Sequence, residues 1–258
     1  MSQKTITIEQ AMTKATWPLE LRGIISPYFF GSHKVDKNQK WQDEKSELFE
    51  FIYHLYTNKK IYLSDTGPND DHEREDIDTL VIHHSKSQDR VLKLGESEII
   101  NRISLIQMLN LYANYFSNPL FGEYYAQPMY SGHYYEGKQT FVSYHWLIFP
   151  DGKCINTLDH NSVGWHSYGG NGINRRSIGI CILGDFTNPQ TRRPNHKQIL
   201  ACRELIKGYQ GLYPGIKTIG HKEVPGTTHG TICPGSWFLD SSQENGEVVE
   251  GWKRLILP

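Results

Sequence analysis

The chain has 258 residues, of which 38% are hydrophobic and 21% are charged, and its formal net charge is −1. This length and composition are typical of one large globular domain, or of one domain with an extension. The near-zero charge offers no basic surface for nucleic acid, and no apolar run approaches the ~18 residues that cross a membrane. We therefore expect no nucleic-acid partner and no membrane insertion.

The N-terminal stretch MSQKTITIEQAMTK has neither the apolar segment nor the small-residue cleavage site of a Sec signal peptide. We therefore expect no signal peptide. The chain has four cysteines, at positions 154, 181, 202 and 233. In a chain of this length without a signal, reduced thiols are expected rather than structural disulfides.

Residues 1–75 differ in pattern from the rest of the chain. The stretch EKSELFEFIYHLYTNKK predicts an amphipathic helix with one apolar face, formed by Leu48, Phe51, Ile52 and Leu55. The polar run SDTGPNDDHERED, residues 64–76, predicts a loop or linker. We expect residues 1–75 to be a partly helical N-terminal extension that packs on a catalytic domain formed by residues 76–258, because its apolar helix face needs cover.

From residue 78 onward, strand and helix patterns alternate. TLVIHH, residues 79–84, predicts a buried strand. ESEIINRISLIQMLNLYANYF predicts a helix capped by Ser97 and stopped at Asn118-Pro119. Its apolar positions recur near helical spacing: Ile99, Ile103, Ile106 and Ala113.

The second half of the pattern begins with a hairpin. YHWLIFPDGKCINTL has two apolar runs around a Pro-Asp-Gly turn, SIGICILGDF predicts another strand, and IKTIG a last short one. PNHKQILACRELIKGYQG predicts a helix with Pro194 near its first turn and Gly208 or Gly211 at its end. The order predicts an α/β fold: a single central mixed β-sheet flanked by helices, with an N-terminal extension.

Three segments place metal-ligand residue types beside the ends of predicted strands. His83-His84 ends the first strand, and the loop TIGHKEVPGTTHGTICPG carries His221 and Cys233. Two histidines and a cysteine match the three protein ligands that a catalytic zinc needs, with the fourth position left for water. Functional residues gather at strand ends in α/β sheets, so this set predicts a zinc site.

Four ordered blocks carry a resemblance to a known family: TLVIHHSKS, FVSYHWLIFPDGK, VGWHSYGGNGINRRSIGICILGDF and GHKEVPGTTHGTICPG. Together, over residues 76–240, the chain resembles the zinc N-acetylmuramoyl-L-alanine amidases, a superfamily of phage lysozyme-amidases, cell-wall recycling amidases and peptidoglycan recognition proteins. The resemblance implies an amidase/peptidoglycan-recognition fold, Zn²⁺ as cofactor, and peptidoglycan or muropeptide as the partner. The first 75 residues have no counterpart in it.

The resemblance assigns the metal ligands and two assisting groups. It implies His83, His221 and Cys233 as the ligands, whereas His84 points to the opposite face of the strand. It implies Tyr144 as a catalytic residue, and Thr231 at a position where some members carry lysine. A glutamate used by some recycling amidases corresponds to Cys181, so a glutamate proton relay is not expected.

The same resemblance implies contacts with substrate. His166 matches a histidine along the substrate cleft, and Asn174 follows in the same loop. Arg175 and Arg176 are candidates to pair with a peptide carboxylate, as arginine does through two parallel bonds, and a solvent-exposed pair is the alternative. His229 is a further candidate source of a proton or positive charge near Thr231.

The implied reaction is hydrolysis of the amide between N-acetylmuramic acid and L-alanine, with Tyr144 and Thr231 donating hydrogen bonds to the oxyanion. Three alternatives remain: a non-catalytic peptidoglycan-binding module, a nucleobase deaminase using the His221-Lys222-Glu223 stretch, and a hydrolase with Cys233 as nucleophile. Without a signal peptide, we expect a cytoplasmic enzyme, or one that reaches the cell wall by a non-Sec route such as phage lysis or effector secretion. The oligomeric state is not predicted.

Overall fold

The computed structural model describes residues 7–29, 38–65, 67–87, 89–167, 172–187, 190–226, 230–242 and 248–258. The chain divides into two compact units. One consists of Met1–Pro68 and Ile100–Gly132, and the other of Asn69–Ile99 and His133–Pro258. The assignment of catalytic function to residues 76–258, and the packing of residues 1–75 on them, stay predictions.

The second unit is built on a five-stranded mixed sheet. In chain order, the nine strands of the described structure are β1 (Thr79–His84), β2 (Tyr134–Tyr135), β3 (Lys138–Gln139), β4 (Trp146–Ile148), β5 (Cys154–Asn156), β6 (Ser177–Ile182), β7 (Lys217–Gly220), β8 (Ser241–Ser242) and β9 (Val248–Val249). The large sheet has the order β5-β4-β6-β1-β7. Within this sheet, only the β4–β5 hairpin is antiparallel. Strand β1 pairs in parallel with β6 and β7, and β4 pairs in parallel with β6. The predicted α/β class with a central mixed sheet is confirmed.

The two faces of this sheet carry different chemistry because side chains alternate along each strand. On one face, Ile82 and Ile180 join a core that includes Cys202 and Ile206 of the helix α7 (His196–Leu212) and Trp252 beside the helix α8 (Lys253–Ile256). All six residues of β1 and all six of β6 are buried, as expected for central strands paired in parallel on both sides. The opposite face of the sheet carries His83 and the candidate site.

Several predicted helix features are wrong in detail. The second predicted helix is α6 (Glu96–Leu111), followed by a π-helical turn, Tyr112–Phe116. It begins at Glu96, so Ser97 lies inside its first turn rather than at the cap. Ile106 is 47% exposed although Ile99 and Ile103 are buried. The helix α7 extends to Leu212 and is capped by Tyr213, so Gly208 and Gly211 lie inside the helix rather than at its end.

The first unit is helical in its described residues. It contains α1 (Ile8–Met12), α2 (Trp17–Glu20), α3 (Arg22–Phe29), α4 (Gln39–Thr57) and most of α6. The Trp17 ring stacks on Tyr112 with centroids 5.5 Å apart, and its Nε1 donates to the carbonyl of Tyr62. On α4, Ile52 and Leu55 are buried as predicted, whereas Phe51 is 39% exposed.

The remaining α-helix among the described residues of the second unit is α5 (Asp89–Leu92), and three 3-10 helices span Asp70–Glu73, Ile173–Arg175 and His221–Glu223. Among the described residues, no helix combines the length and the apolar character needed to cross a lipid bilayer.

Candidate metal centre and its surroundings

The structure brings the three predicted ligands together. His83 lies on β1, on the sheet face opposite the α7 core, while His221 opens the short 3-10 helix His221–Glu223 directly after β7. Cys233 follows in the next loop. One ligand atom from each residue lies within 4.8 Å of the other two, and Cys233 Sγ is 3.7 Å from Nδ1 of His83. The site is therefore formed where two adjacent parallel strands end.

Backbone contacts join the two loops that carry His221 and Cys233. The backbone N–H of Lys222 donates to the carbonyl of Cys233 at 2.7 Å, and the Lys222 ammonium donates to the carbonyl of Gly235. Glu223 accepts from the backbone N–H of Gly220 and pairs with Lys253. Because the Glu223 carboxylate has these partners, the structure gives no support to the deaminase alternative, in which this residue would serve as the general acid and base.

The protonation states suit metal ligation. Burial, with the nearby charges of His221 and His166, holds the pKa of His83 well below its usual 6.5, and burial lowers the pKa of His221 to about 4. Both imidazoles are thus neutral at neutral pH. Burial raises the pKa of Cys233 to about 12, although the backbone N–H of His84 and the charge of Lys222 lower it. A thiol protonated at neutral pH is a poor nucleophile, which argues against the cysteine-hydrolase alternative.

The donor set fits zinc. Zinc–nitrogen and zinc–sulfur bonds of about 2.0 and 2.3 Å in tetrahedral geometry separate the two ligand atoms by about 3.5 Å. The 3.7 Å between His83 Nδ1 and Cys233 Sγ agrees with that separation. Metal binding would displace the thiol proton, since the thiolate is the ligand form. Sulfur in the set favours zinc over magnesium or calcium.

His166 lies beside the ligand His83 rather than at the surface. It is only 6% exposed, and its Nδ1 lies 3.0 Å from Nε2 of His83. Its other nitrogen, Nε2, lies 3.2 Å from the hydroxyl of Ser177. The predicted contact of His166 with substrate stays a prediction, but both ring nitrogens have protein partners in this structure.

Two glycines make room for the His166 ring. A Cβ on Gly179 of β6 would lie 2.6 Å from the ring, and a Cβ on Gly164 would lie 3.1 Å from it. Gly179 also bonds through its backbone N–H to Nδ1 of His145, whose Nε2 is 3.0 Å from the carbonyl of Ser162. The absence of side chains at these glycines therefore defines a slot for a histidine ring next to the ligand.

Asn174 and Arg175 are engaged within the protein. The side-chain amide of Asn174 accepts from the backbone N–H of Ser167 at 2.9 Å and donates to its carbonyl at 2.7 Å. Arg175 forms an ion pair with Glu73 at 2.9 Å. Their predicted roles in substrate binding stay predictions; the observed contacts join Asn174 to Ser167 and Arg175 to Glu73.

Tyr144 and Thr231 lie next to the ligands. The Tyr144 ring centroid is 5.2 Å from that of His83. The Thr231 hydroxyl accepts from the backbone N–H of Cys233 at 3.2 Å, so its own proton remains to be donated. Their catalytic roles stay predictions. His229 lies outside the described residues.

The neighbours of the ligands occupy the positions that strand alternation predicts. The ring of His84 lies on the α7 side, 6.0 Å from that of Phe186, whose backbone N–H donates to His84 Nδ1. Cys181 pairs in register with His83 and is fully buried. It is the small buried strand residue expected in place of a glutamate.

The comparisons agree with this geometry. A family model described as N-acetylmuramoyl-L-alanine amidase matches residues 73–236, more than half of the chain. The chain belongs to that family. The resemblance inferred from the four sequence blocks is thereby confirmed.

Individual relatives are distant. Peptidoglycan-recognition protein 1 of Holotrichia diomphalia is 33% identical over 91 residues, which are 33% of this chain and 42% of that protein. The endolysin of Enterobacteria phage K11 is 28% identical over 110 residues, 42% of this chain and 68% of that protein. The chain thus spans less than half of the length of the recognition protein that it matches.

The solved structures that match include an endolysin and a peptidoglycan recognition protein. The endolysin N-acetylmuramoyl-L-alanine amidase LysCS from Clostridium intestinale URNW matches with a TM-score of 0.43 at 20% identity, covering 67% of this chain and 83% of that one. The Drosophila peptidoglycan recognition protein SD matches with a TM-score of 0.44 at 20% identity, covering 68% and 83% of the two chains.

Sequence reasoning missed two residues beside the ligands, Ser177 and Gly179. Gly179 left a signal, because a glycine inside a buried strand often marks the close approach of another group. Ser177 left none, since a serine at the start of a strand is ordinary.

Proposed function

We propose that this protein is a zinc-dependent N-acetylmuramoyl-L-alanine amidase, which uses water to split the amide bond between N-acetylmuramic acid and the L-alanine of the stem peptide. The observation that carries the proposal is the convergence of His83, His221 and Cys233 within 4.8 Å, in a chain of the amidase family. Peptidoglycan or a muropeptide is the proposed partner.

The three side chains would hold zinc, which when bound supplies Lewis acidity and a water whose pKa is lowered to about 7. The protein's own part is to bind and orient the substrate amide and to stabilise the oxyanion as the carbonyl becomes tetrahedral. We assign the latter to the hydroxyls of Tyr144 and Thr231. Thr231 is oriented for this by accepting the Cys233 N–H, which leaves its hydroxyl proton for the substrate oxygen.

The test measures zinc content and peptide release together on wild type and three variants. Cys233→Ser is expected to lose zinc and activity, and Cys154→Ser, a half-buried strand cysteine outside the cluster, is its control. Tyr144→Phe is expected to keep one zinc per chain and to lose roughly 10²–10³-fold in kcat, the usual effect of removing an oxyanion donor. Tyr62→Phe, at a 42% exposed tyrosine, controls for loss of a hydroxyl.

The outcomes separate the candidate functions. Zinc binding with release of free L-Ala-peptides supports the amidase. A comparison of release from intact cell wall with release from small muropeptides then shows which substrate the enzyme prefers. If the wild-type protein binds peptidoglycan without cleaving it, the amidase proposal is replaced by a non-catalytic recognition module. The similarity to a peptidoglycan-recognition protein makes this outcome worth testing. A wild-type protein without zinc would refute the proposed mechanism.

A further inference from the structure

A buried line of hydrogen bonds runs away from the candidate metal centre. His83 Nε2 is 3.0 Å from His166 Nδ1, and His166 Nε2 is 3.2 Å from Ser177 Oγ. The Ser177 hydroxyl in turn bonds to the carbonyl of Ile173. The exposed fractions of His83, His166 and Ser177 are 1%, 6% and 0%, so water does not compete for these bonds.

The direction of every proton along the line follows from its far end. A carbonyl only accepts, so the Ser177 hydroxyl proton points to Ile173, and Ser177 Oγ is left to accept from His166 Nε2–H. Neutral imidazole carries one N–H and one lone pair, so His166 Nδ1 holds the lone pair and accepts from His83 Nε2–H. The lone pair of His83 is then on Nδ1, the nitrogen that lies 3.7 Å from Cys233 Sγ.

We propose that His166 and Ser177 are positioning residues that hold His83 in the tautomer and ring orientation needed to bind the metal through Nδ1. This proposal rests on the proposed function only in taking His83 as a zinc ligand. Metal-bound histidines depend on the partner of their second nitrogen for orientation and basicity. In this protein that partner is a second histidine, whose own tautomer is set by a serine and a backbone carbonyl.

The line of hydrogen bonds also accounts for the glycine at position 179 of β6. Ser177 and Gly179 lie on the same face of β6 as Cys181, the residue in register with His83. Gly179 has no side chain, so the His166 ring lies against the strand between Ser177 and the ligand. The line of hydrogen bonds therefore depends on Ser177, on Gly179 and on the β1–β6 register together.

The first experiment measures tautomers directly in the zinc-free protein, from ¹⁵N chemical shifts of the histidine rings. His83 and His166 are both expected as Nε2–H tautomers. A His83 protonated on Nδ1 would overturn the proposal, whatever the activity of the protein.

The second experiment measures the zinc dissociation constant at pH 7 by competition with a chromogenic chelator. His166→Phe keeps a ring in the slot but removes both bonds, and Ser177→Ala removes only the end of the line. Each is expected to weaken zinc binding by about 10–100-fold, with a changed visible spectrum of the cobalt-substituted protein. Ser117→Ala is the matched control, because Ser117 is also a buried serine that donates to a backbone carbonyl; its zinc affinity is expected to equal that of wild type.

The outcomes are distinct from those of the amidase test. Unchanged zinc affinity in both His166→Phe and Ser177→Ala would overturn the positioning role. If His166→Phe does not fold, Ser177→Ala and the tautomer measurement on wild type still decide. If wild type binds zinc with the expected tautomers and releases no peptide, the amidase proposal fails while the positioning role stands.

Discussion

Substitution of Gly179 by alanine tests the packing beside the metal centre most directly. A Cβ at this position would lie 2.6 Å from Cγ and Cδ2 of His166, whereas carbon atoms in contact are about 3.5–4.0 Å apart. The ring must therefore retreat by about 0.9 Å or more. A movement of that size along the axis of the 3.0 Å bond between His83 and His166 would break the bond, because hydrogen bonds end near about 3.5 Å.

The expected magnitude combines two effects. Forcing an extra methyl group into a packed interior costs about 1–3 kcal/mol, and a lost hydrogen bond adds about 0.5–1.5 kcal/mol. The zinc-free Gly179→Ala protein should thus lose about 1.5–4.5 kcal/mol of unfolding free energy, and the folded protein should bind zinc about 10–100-fold more weakly. The backbone of Gly179 lies in a regular strand, so the effect is steric rather than conformational.

The assay is urea unfolding of the zinc-free protein, together with zinc affinity by chelator competition. Gly208→Ala in α7 is the matched control, because nothing lies within 4 Å of the Cβ that it would add. It should stabilise the protein by about 0.5–1 kcal/mol through helix propensity and leave zinc affinity unchanged. If Gly179→Ala matches wild type in both measurements, or if the two variants shift stability in the same direction, the packing argument is wrong.

Four further predictions concern stability. Free zinc at 1,000 times its dissociation constant should raise the unfolding free energy by about 4 kcal/mol over chelator-treated protein; equal melting temperatures in calorimetry would contradict zinc binding to the folded state. Burial lowers the pKa of His145 to about 3, so the unfolded chain, with a pKa near 6.5, takes up a proton first as the pH falls. The contribution of His145 to stability should therefore be complete above about pH 6.5 and decline by up to about 1.4 kcal/mol per pH unit between 6.5 and 3; the decline in urea unfolding should be shallower in His145→Asn by up to this amount, and parallel curves would contradict this reasoning. Trp252→Ala should cost about 3–5 kcal/mol in urea unfolding, since the indole is 2% exposed and its ring centroid lies 4.6 Å from that of Phe238; a loss below about 1 kcal/mol would show that the core refills the space. Asn195→Ala should cost about 0.5–2 kcal/mol, because Asn195 and Gln198 form a reciprocal capping box at the start of α7; thermal unfolding identical to wild type would refute the contribution of the cap.

The structure also qualifies the substrate contacts expected from the family. Asn174 uses both ends of its amide on the backbone of Ser167, and Arg175 is paired with Glu73. Both side chains therefore already have protein partners where the resemblance implies contacts with substrate.

The sequence by itself was sufficient for the architecture and for the family. Apolar runs such as TLVIHH and SIGICI predict buried strands because a strand buried on both faces has no polar side to display. His83, His221 and Cys233 could be picked out as candidate metal ligands because zinc ligands are drawn from few residue types and follow strand ends, and the structure brings the three within 4.8 Å of one another. These are local properties, which the identity of the residues and their spacing already express.

Helix ends and faces were less predictable. Gly208 and Gly211 are plausible helix terminators, yet α7 continues to Leu212, because packing of Ile206 and Tyr209 into the core outweighs the modest cost of glycine in a helix. Ile106 follows the apolar spacing of α6 but is 47% exposed. Periodicity shows which residues share a face of a helix, but not how much of that face a neighbouring element covers.

The environment of the ligands was decided only by the tertiary structure. His166 is 83 residues from His83 in sequence, and nothing in either local stretch indicates that one ring donates to the other. The contact exists because the β1–β6 register brings Ser177, Gly179 and His83 to one sheet face, and because glycine leaves space there. The sequence determined which residue types are available for a metal site, whereas long-range packing brought His83, His221 and Cys233 together and placed His166 beside His83, since side chains far apart in sequence meet only through the fold.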